Sequence, residues 1–205
     1  MKTNSTIKKI FAMLLACAMM LAFAACGSSP APAASEAPAA EDDGTVKVAI
    51  IKQLDHASLD EIANAIAARF DEMNAAGDVK VEYSISSGQN DQTILKQLCD
   101  QAIADKVDVI VPIATTAAQV ATLSAEGTGV KVVYAAISDP AAANLTGIDY
   151  VTGTSDALNT SFILDMMFAQ NPDIKKVGLL YCSAEANSQY QVDEVQKYLE
   201  AKGVT

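Results

Sequence analysis

The chain has 205 residues, which is enough for one large domain or two small ones. Hydrophobic residues make up 51% of the sequence and charged residues 19%, so most of the chain is predicted to bury a core. Its 14 basic and 25 acidic side chains give a formal net charge of -11, which argues against nucleic acid as a partner because nucleic acid requires a basic surface.

The amino terminus has the pattern of a secretory signal. Residues 1–9 carry three lysines and no acid, and residues 10–25 are almost wholly apolar. That apolar run is shorter than the ~20 residues of a membrane-spanning helix, although an uncleaved membrane helix is the alternative. The run closes with Phe23, Ala24, Ala25, Cys26 and Gly27, which resemble the lipobox of bacterial lipoproteins. This resemblance implies a lipoprotein signal peptide over residues 1–25 and lipid attachment at the Cys26 thiol.

Residues 26–45 are rich in Ala, Pro, Ser and acidic residues and contain no large apolar side chain. Such a segment cannot bury enough apolar surface to offset the entropy lost on ordering. It is predicted to be a disordered tether between the lipid and a globular body. We therefore expect an exported protein that its lipid anchors to the outer face of the bacterial cytoplasmic membrane.

Residues 46–150 are predicted to form an amino-terminal α/β lobe. Runs rich in β-branched and apolar residues at 46–51, 79–85, 107–114 and 130–137 predict four strands. Between them, apolar residues recur at spacings of three and four, which predicts helices capped by Ser58, by Asp91, and by Thr115 or Thr116. This alternation predicts Rossmann-like βαβ units, with a parallel sheet flanked by helices.

Residues 151–205 are predicted to begin a second α/β lobe. Residues 141–155 are rich in Gly, Thr, Asn and Ala, as expected of a crossover between lobes. Asp156 is the predicted cap of the next helix, residues 176–181 are a predicted fifth strand, and Ser188 is the predicted cap of a further helix. One strand cannot make a sheet, so we expect the second lobe to be incomplete in this chain.

Polar residues follow each predicted strand. In open parallel sheets, ligands bind beyond the carboxyl ends of the strands, beside helix amino termini. Ordinary helix capping is the alternative for each residue taken singly, but the polar residues outnumber those that capping needs. The ligand-binding residues predicted from these loops are Gln53, His56, Gln89, Asn90, Asp91, Thr115, Thr116, Ser138, Asp139, Glu185, Asn187 and Ser188.

The sequence lacks the motifs of catalysis and of cofactor binding. It has no Gly-rich phosphate or dinucleotide loop and no nucleophile elbow. His56 is the single histidine, and no CxxC pair occurs, which argues against a metal site. Cys99 and Cys182 are expected to be buried free thiols. We expect neither catalysis nor a cofactor nor a metal.

Six short motifs resemble the family of ABC-transporter substrate-binding proteins whose better-known members take tryptophan or tyrosine. They are HASLD at 56–60, GQNDQ at 88–92, TTAAQ at 115–119, SDP at 138–140, TGTSD at 152–156 and YCSAEANS at 181–188. Each motif is weak alone, but six in order and at compatible spacing are specific. The resemblance adds Ser155, Asp156 and Tyr181 to the predicted ligand-binding residues. The chain departs from the family pattern where Ala57 and Thr116 replace prolines and where Cys182 replaces an asparagine.

The resemblance implies a type I periplasmic-binding-protein fold, in which two Rossmann-like lobes close over a small solute. A monomer would then present the closed form to an ABC permease in the membrane. The implied solute is an aromatic or related amino acid, whose carboxylate would meet hydroxyls and helix N–H groups near Thr115, Thr116 and Ser188. The acids expected to meet its ammonium group are Asp139, Asp156 and Glu185. The alternatives are a nucleoside or sugar on the same fold, and the extracellular ligand-sensing domain of a signalling receptor.

Overall fold

The computed structural model describes residues 44–204, which form five strands and five helices. The predicted signal peptide, the lipid-attachment residue Cys26 and nearly all of the predicted tether lie outside the described residues. No helix within 44–204 is both long enough and apolar enough to cross a membrane.

The strands and helices alternate through β4, as the sequence predicts. The strands are β1 (Thr45–Lys52), β2 (Lys80–Ser87), β3 (Val109–Ile113), β4 (Lys131–Ile137) and β5 (Val151–Ser155). The helices are α1 (Ala57–Ala76), α2 (Gln92–Ala104), α3 (Thr115–Ala125), α4 (Thr160–Gln170) and α5 (Ala186–Ala201). The four strands expected in the first lobe are confirmed, with ends shifted by only one or two residues.

The five strands form one parallel sheet in the order β2-β1-β3-β4-β5. Helices cover both of its faces, which explains the continuous apolar runs of the central strands. Val48 and Ile50 of β1 pack with Ala63 of α1 on one face. Ala49 and Ile51 pack with residues of α2 and α3 on the other. The predicted fold class, α/β with a parallel sheet flanked by helices, is confirmed.

The predicted crossover at 141–155 is wrong in its last part, because residues 151–155 are a strand of the first sheet. β5 pairs in parallel with β4, and Gly153 lies opposite Tyr134. A Cβ on Gly153 would lie 2.2 Å from the Tyr134 carbonyl oxygen, so this close approach requires glycine. β5 ends the sheet within the described residues and is half-exposed or exposed along its length. Its polar, glycine-containing sequence therefore resembles a loop.

The predicted strand at 176–181 is also wrong. Residues 174–181 have no regular secondary structure, and the Leu180 side chain is fully exposed. A strand requires a neighbour to complete its hydrogen bonds, and no other strand of residues 44–204 lies beside this segment. In α4, Phe162 and Met166 are about half exposed, whereas Leu164 is buried. The division of the chain into two lobes stays a prediction.

The caps of α1, α4 and α5 are among those that differ from the sequence prediction. α1 begins two residues earlier than Ser58 implied, and the Nδ1 atom of His56 accepts a hydrogen bond from the Ser58 N–H at 3.2 Å. α4 begins after Asn159 rather than after Asp156, because the Asn159 side chain accepts from the Phe162 N–H at 3.1 Å. α5 begins after Glu185, two residues before the predicted cap Ser188 is reached.

The two described cysteines have different environments. Both are free, as expected. Cys99 is fully buried in α2 against the sheet, which confirms its predicted burial. Cys182 is exposed, so the prediction that it is buried is wrong. It lies in the irregular segment before α5, where no sheet forms to cover it.

Candidate functional site

Gln53 follows β1 at the carboxyl end of the sheet and is buried, with 4% of its surface exposed. Its backbone joins two neighbouring loops, since its N–H donates to the Ile113 carbonyl at 3.1 Å and its carbonyl accepts from the Asn90 N–H at 2.8 Å. Its side-chain oxygen accepts from the Thr116 N–H at 3.1 Å. Its side-chain nitrogen donates to Asn90 Oδ1 at 3.0 Å and to Glu185 Oε1 at 3.3 Å. One buried amide thus connects three loops and the start of α5.

The Gln53 amide also caps α3. Thr115 and Thr116 were the predicted caps, but both lie inside the helix, and Ala114 occupies the cap position without a side-chain hydrogen bond. The backbone φ angle of Ala114 is 78°, which is unusual for a residue with a Cβ. Because Ala114 supplies no acceptor, the helix amino terminus takes one from Gln53, more than sixty residues away in sequence.

The loop after β2 turns Asn90 toward Gln53. Gln89 and Asn90 both adopt left-handed backbone conformations, with φ angles of 52° and 58°. A Cβ on Gly88 would lie 2.3 Å from the Leu95 side chain, so only glycine allows the loop to pack this closely on α2. Asp91 caps α2 as predicted, and its carboxylate accepts from the Thr93 N–H at 2.7 Å and from the Ile94 N–H at 3.2 Å. The backbone hydrogen bonds from Ile94 and Thr93 lower the pKa of Asp91.

Lys52 supports the loop after β1, and the sequence analysis missed it. Its side chain is 11% exposed and pairs with Asp55 at 3.0 Å and with Asp60 of α1. The hydrogen bond to Asp60, and then that to Asp55, raises the pKa of Lys52. Lys52 in turn lowers the pKa of Asp55. The available signal was a lysine at the end of an otherwise apolar strand, which predicts a paired cation because a lysine there cannot be buried alone.

The remaining predicted site residues divide into two groups. In the first group, which lies in or beside the loops after β1, β2 and β3 and before α5, Thr115 is buried, His56 and Gln89 are exposed, and Tyr181 is about half exposed. Asn187 and Ser188 lie half-buried in the first turn of α5. How any of these side chains meets a solute stays a prediction.

The second group lies at the ends of β4 and β5 and bonds locally. Asp139 accepts from the Ala141 and Ala142 N–H groups at 2.8 and 3.0 Å. The Ser155 hydroxyl donates to the Ser138 carbonyl at 3.4 Å, and the Asp156 N–H donates to the Ile137 carbonyl at 3.1 Å. These bonds are local, and none of them reaches Gln53.

Asn90, Glu185 and the Thr116 N–H all lie within hydrogen-bond distance of the Gln53 side chain. The loops after β1, β2 and β3 lie together because the carboxyl ends of parallel strands share one edge of a sheet. Glu185, from the segment beyond the first sheet, reaches the same place through Gln53. The Gln53 cluster (Gln53, Asn90, Thr116 and Glu185) therefore combines amide groups, a helix amino terminus and one carboxylate. Such a set can hydrogen-bond a small molecule that carries both positive and negative charge.

Comparison with known proteins identifies the family. Residues 47–205 match the family described as ABC transporter substrate binding protein, and the chain belongs to it. This is a family of substrate-binding proteins and not of enzymes. A tyrosine-binding protein of Clostridioides difficile is 26% identical over 156 residues, which is 74% of this chain and 45% of that protein.

Solved structures agree with this assignment. The ABC domain of a Streptococcus pneumonia protein in complex with L-Trp is 32% identical and has a TM-score of 0.71, over 78% of this chain and 55% of that one. A solute-binding protein of Rhodopseudomonas palustris in complex with 3,4-dihydroxybenzoic acid is 26% identical, with a TM-score of 0.60 over 79% and 46% of the two chains. The chain thus spans about half the length of the relatives that it matches.

Proposed function

We propose that the chain is the solute-binding part of an ABC importer and that its solute is an aromatic or related amino acid. The observation that carries the proposal is the Gln53 cluster, in which Glu185 and the amino terminus of α3 meet around one buried amide. The relatives bound to L-Trp or named for tyrosine support the choice of solute. The solute would be delivered to a permease in the membrane.

The proposed recognition follows from charge. The Glu185 carboxylate would accept hydrogen bonds from the solute's ammonium group, with Asn90 Oδ1 as a neutral partner beside it. The amino terminus of α3 would attract the solute's carboxylate, because the helix dipole favours an anion there. Hydrogen bonds to charged groups each contribute roughly 1.5–3 kcal/mol, so a few of them suffice for micromolar affinity.

A thermal-shift panel on the lipid-free protein tests the solute class. L-tryptophan and L-tyrosine are compared with adenosine and with a hexose. A solute at about 100 times its Kd should stabilise the folded state by about 2.7 kcal/mol. We expect the aromatic amino acids to raise the melting temperature, whereas a shift with the hexose alone would contradict the amino-acid assignment.

A charge-removal variant tests the role of Glu185. Glu185→Gln keeps the shape and removes the carboxylate, so affinity for the amino acid should fall by about tenfold or more, as expected when a charged hydrogen bond is lost. Glu200→Gln is the matched control, since Glu200 is exposed at the other end of α5 and should leave the affinity unchanged. Equal affinities of both variants by titration calorimetry would exclude Glu185 from the site.

We also propose that Cys26 carries a lipid and that the chain comprises two lobes. With β5 in the first sheet, the first lobe would extend to Ser155 rather than to residue 150.

Metabolic labelling with a palmitate analogue tests the proposed lipid anchor at Cys26. The label should be lost in Cys26→Ser and kept in Cys17→Ser, and label retained in Cys26→Ser would exclude Cys26 as the attachment site.

A further inference from the structure

A cavity of about 550 Å³ lies on the outer flank of α3, between this helix and residues 143–150. We call it the flank cavity. Its apolar wall is formed by Val120, Leu123, Leu145 and Ile148. Thr116 lines it and also belongs to the Gln53 cluster, whereas Gln53, Asn90 and Glu185 are not among the described residues that line it, so the cavity borders that cluster without including its amide and carboxylate groups. Its volume lies within the ~300–1,000 Å³ range of small-molecule sites.

Two hydrogen bonds hold the walls of the flank cavity apart at a fixed width. Gln119 on α3 donates from its side-chain nitrogen to the Ala143 carbonyl on the opposite wall at 3.2 Å. Tyr150 donates from its hydroxyl to the Thr122 carbonyl at 3.1 Å. Because these bonds link the walls at two places, the cavity is preformed and does not depend on a ligand to open it.

Two side chains of the flank cavity are unusual for their surroundings. The hydroxyl of Thr122, in its wall, is buried and has no hydrogen-bond partner within residues 44–204. Leu123 on its rim is 73% exposed, which is unusual for a large apolar side chain beside a concave surface. A bound apolar molecule would cover Leu123, whereas the Thr122 hydroxyl is too deeply buried to meet it.

The charge of the flank cavity selects among such molecules. Glu126 is the one charged side chain among the described residues that line it, and it lies at the end of α3. Burial raises the pKa of the Tyr150 hydroxyl, and the charge of Glu126 raises it further. An anion would therefore be repelled, and a cation on an apolar body would be attracted.

We propose that the flank cavity is a second binding site, and that it takes a small aromatic or apolar amine. The apolar body would pack between Leu123 and Ile148, and the amine would lie near the Glu126 carboxylate. The site borders the Gln53 cluster, with which it shares Thr116.

Three probes that share one ring test the proposal. Tryptamine, indole and indole-3-acetate share the indole ring and carry a positive charge, no charge and a negative charge, respectively. The chain contains no tryptophan, so the fluorescence anisotropy of each probe can be followed without interference from the protein. We expect tryptamine to bind more tightly than indole, and indole more tightly than indole-3-acetate. Absence of tryptamine binding at millimolar concentration would overturn the proposal.

Variants locate the binding. Glu126→Gln should weaken tryptamine by about threefold, the effect of losing an exposed ion pair, and leave indole unchanged. Leu123→Ser should weaken both probes by about fivefold or more, since Leu123 is part of the wall. Leu158→Ser is the matched control, because Leu158 is also an exposed leucine but lies outside the cavity.

The same variants separate the flank cavity from the Gln53 cluster. Glu185→Gln should leave the tryptamine affinity unchanged, and Leu123→Ser should leave the binding of L-tryptophan at the Gln53 cluster unchanged. If tryptamine binding instead responds to Glu185→Gln and not to Leu123→Ser, the probe occupies the Gln53 cluster and the second site is disproved. An equal loss in Leu158→Ser and Leu123→Ser would mean unspecific adsorption and would disprove it as well.

Discussion

At the scale of single residues, Gln53 shows how one buried amide can organise a site. Its oxygen and nitrogen accept and donate three hydrogen bonds to three different parts of the chain. A buried polar group without partners costs about 1–3 kcal/mol, so the loss of any of these hydrogen bonds would destabilise the folded state. The same side chain therefore contributes to stability and fixes the positions of Asn90 and Glu185.

We predict that Gln53→Leu lowers the free energy of unfolding by about 1–3 kcal/mol, because the Thr116 N–H and Asn90 Oδ1 lose their buried partner. Urea unfolding followed by circular dichroism measures the change. Gln101→Leu is the matched control, since Gln101 is exposed on α2 and bonds only its neighbour Asp105. A surface change of this kind should stay within about 0.5 kcal/mol. Equal losses in both variants would contradict the role of Gln53.

Cys99 gives a prediction on pH. Burial raises the pKa of its thiol from 9.0 to about 12. Above pH 9 the unfolded chain therefore releases a proton that the folded chain keeps, so the contribution of Cys99 to stability is complete below pH 9 and is lost as the pH rises toward 12. The free energy of unfolding of the parent chain, relative to Cys99→Ala, should decrease from about pH 8 to about pH 11. Cys182→Ala, which removes an exposed thiol, is the matched control for the loss of a cysteine.

At the scale of elements, α3 begins in a strained way. Ala114 has a φ of 78° and a ψ of 163°, a region that glycine alone adopts freely. We predict that Ala114→Gly raises the free energy of unfolding by about 1 kcal/mol through relief of this strain. Ala121→Gly, the same change in the middle of α3, should lower it by about 1 kcal/mol or more, since glycine disfavours a helix interior. Thermal unfolding of both variants measures the two signs, and a loss in Ala114→Gly would contradict the strain.

Elements that are determined by their own and neighbouring residues were predictable from the sequence. Elements that depend on contacts with distant residues were not. The apolar run of β1 and the Asp91 cap of α2 depend on neighbouring residues alone, and both were predicted correctly. β5 was missed because an edge strand is specified by its partner β4 rather than by its own hydrophobicity. The segment at 176–181 has the apolar sequence of a strand but no strand beside it.

The candidate site was likewise predictable only where it depends on local sequence and on parallel strand pairing. The loops at the carboxyl ends of β1, β2 and β3 were predicted to meet, because this follows from parallel pairing alone. The capping of α3 by Gln53 depends on a contact between residues far apart in sequence, and no local pattern indicates it. For this reason Thr115 and Thr116 were predicted as caps, although α3 takes its acceptor from Gln53 in the loop after β1.

At the scale of the described molecule, burial and backbone hydrogen bonding are concentrated in the central strands. β1 and β3 lie at the centre of the sheet and contribute the fully buried side chains Ile50, Ile51, Ile110 and Ile113. Residues 174–181 have no ladder of backbone hydrogen bonds and leave Leu180 in solvent. Regions with few buried contacts open at a lower free energy than the core does. Glu185, which follows this segment directly, is connected to the sheet through Gln53.

This contrast predicts a pattern of hydrogen exchange, measured by mass spectrometry on peptides. Amides of residues 174–181 should exchange at least about tenfold faster than those of β1 and β3, because local opening frees them without unfolding the sheet. Addition of L-tryptophan should then slow exchange both in the loop after β1 and around Glu185, since a solute held between them restrains both. Residues 98–104, at the carboxyl end of α2 and away from the loop that carries Asn90, are the internal control and should not change. Slowing confined to one of the two regions would mean that the solute contacts only one side, and the bridging role of Glu185 would be wrong.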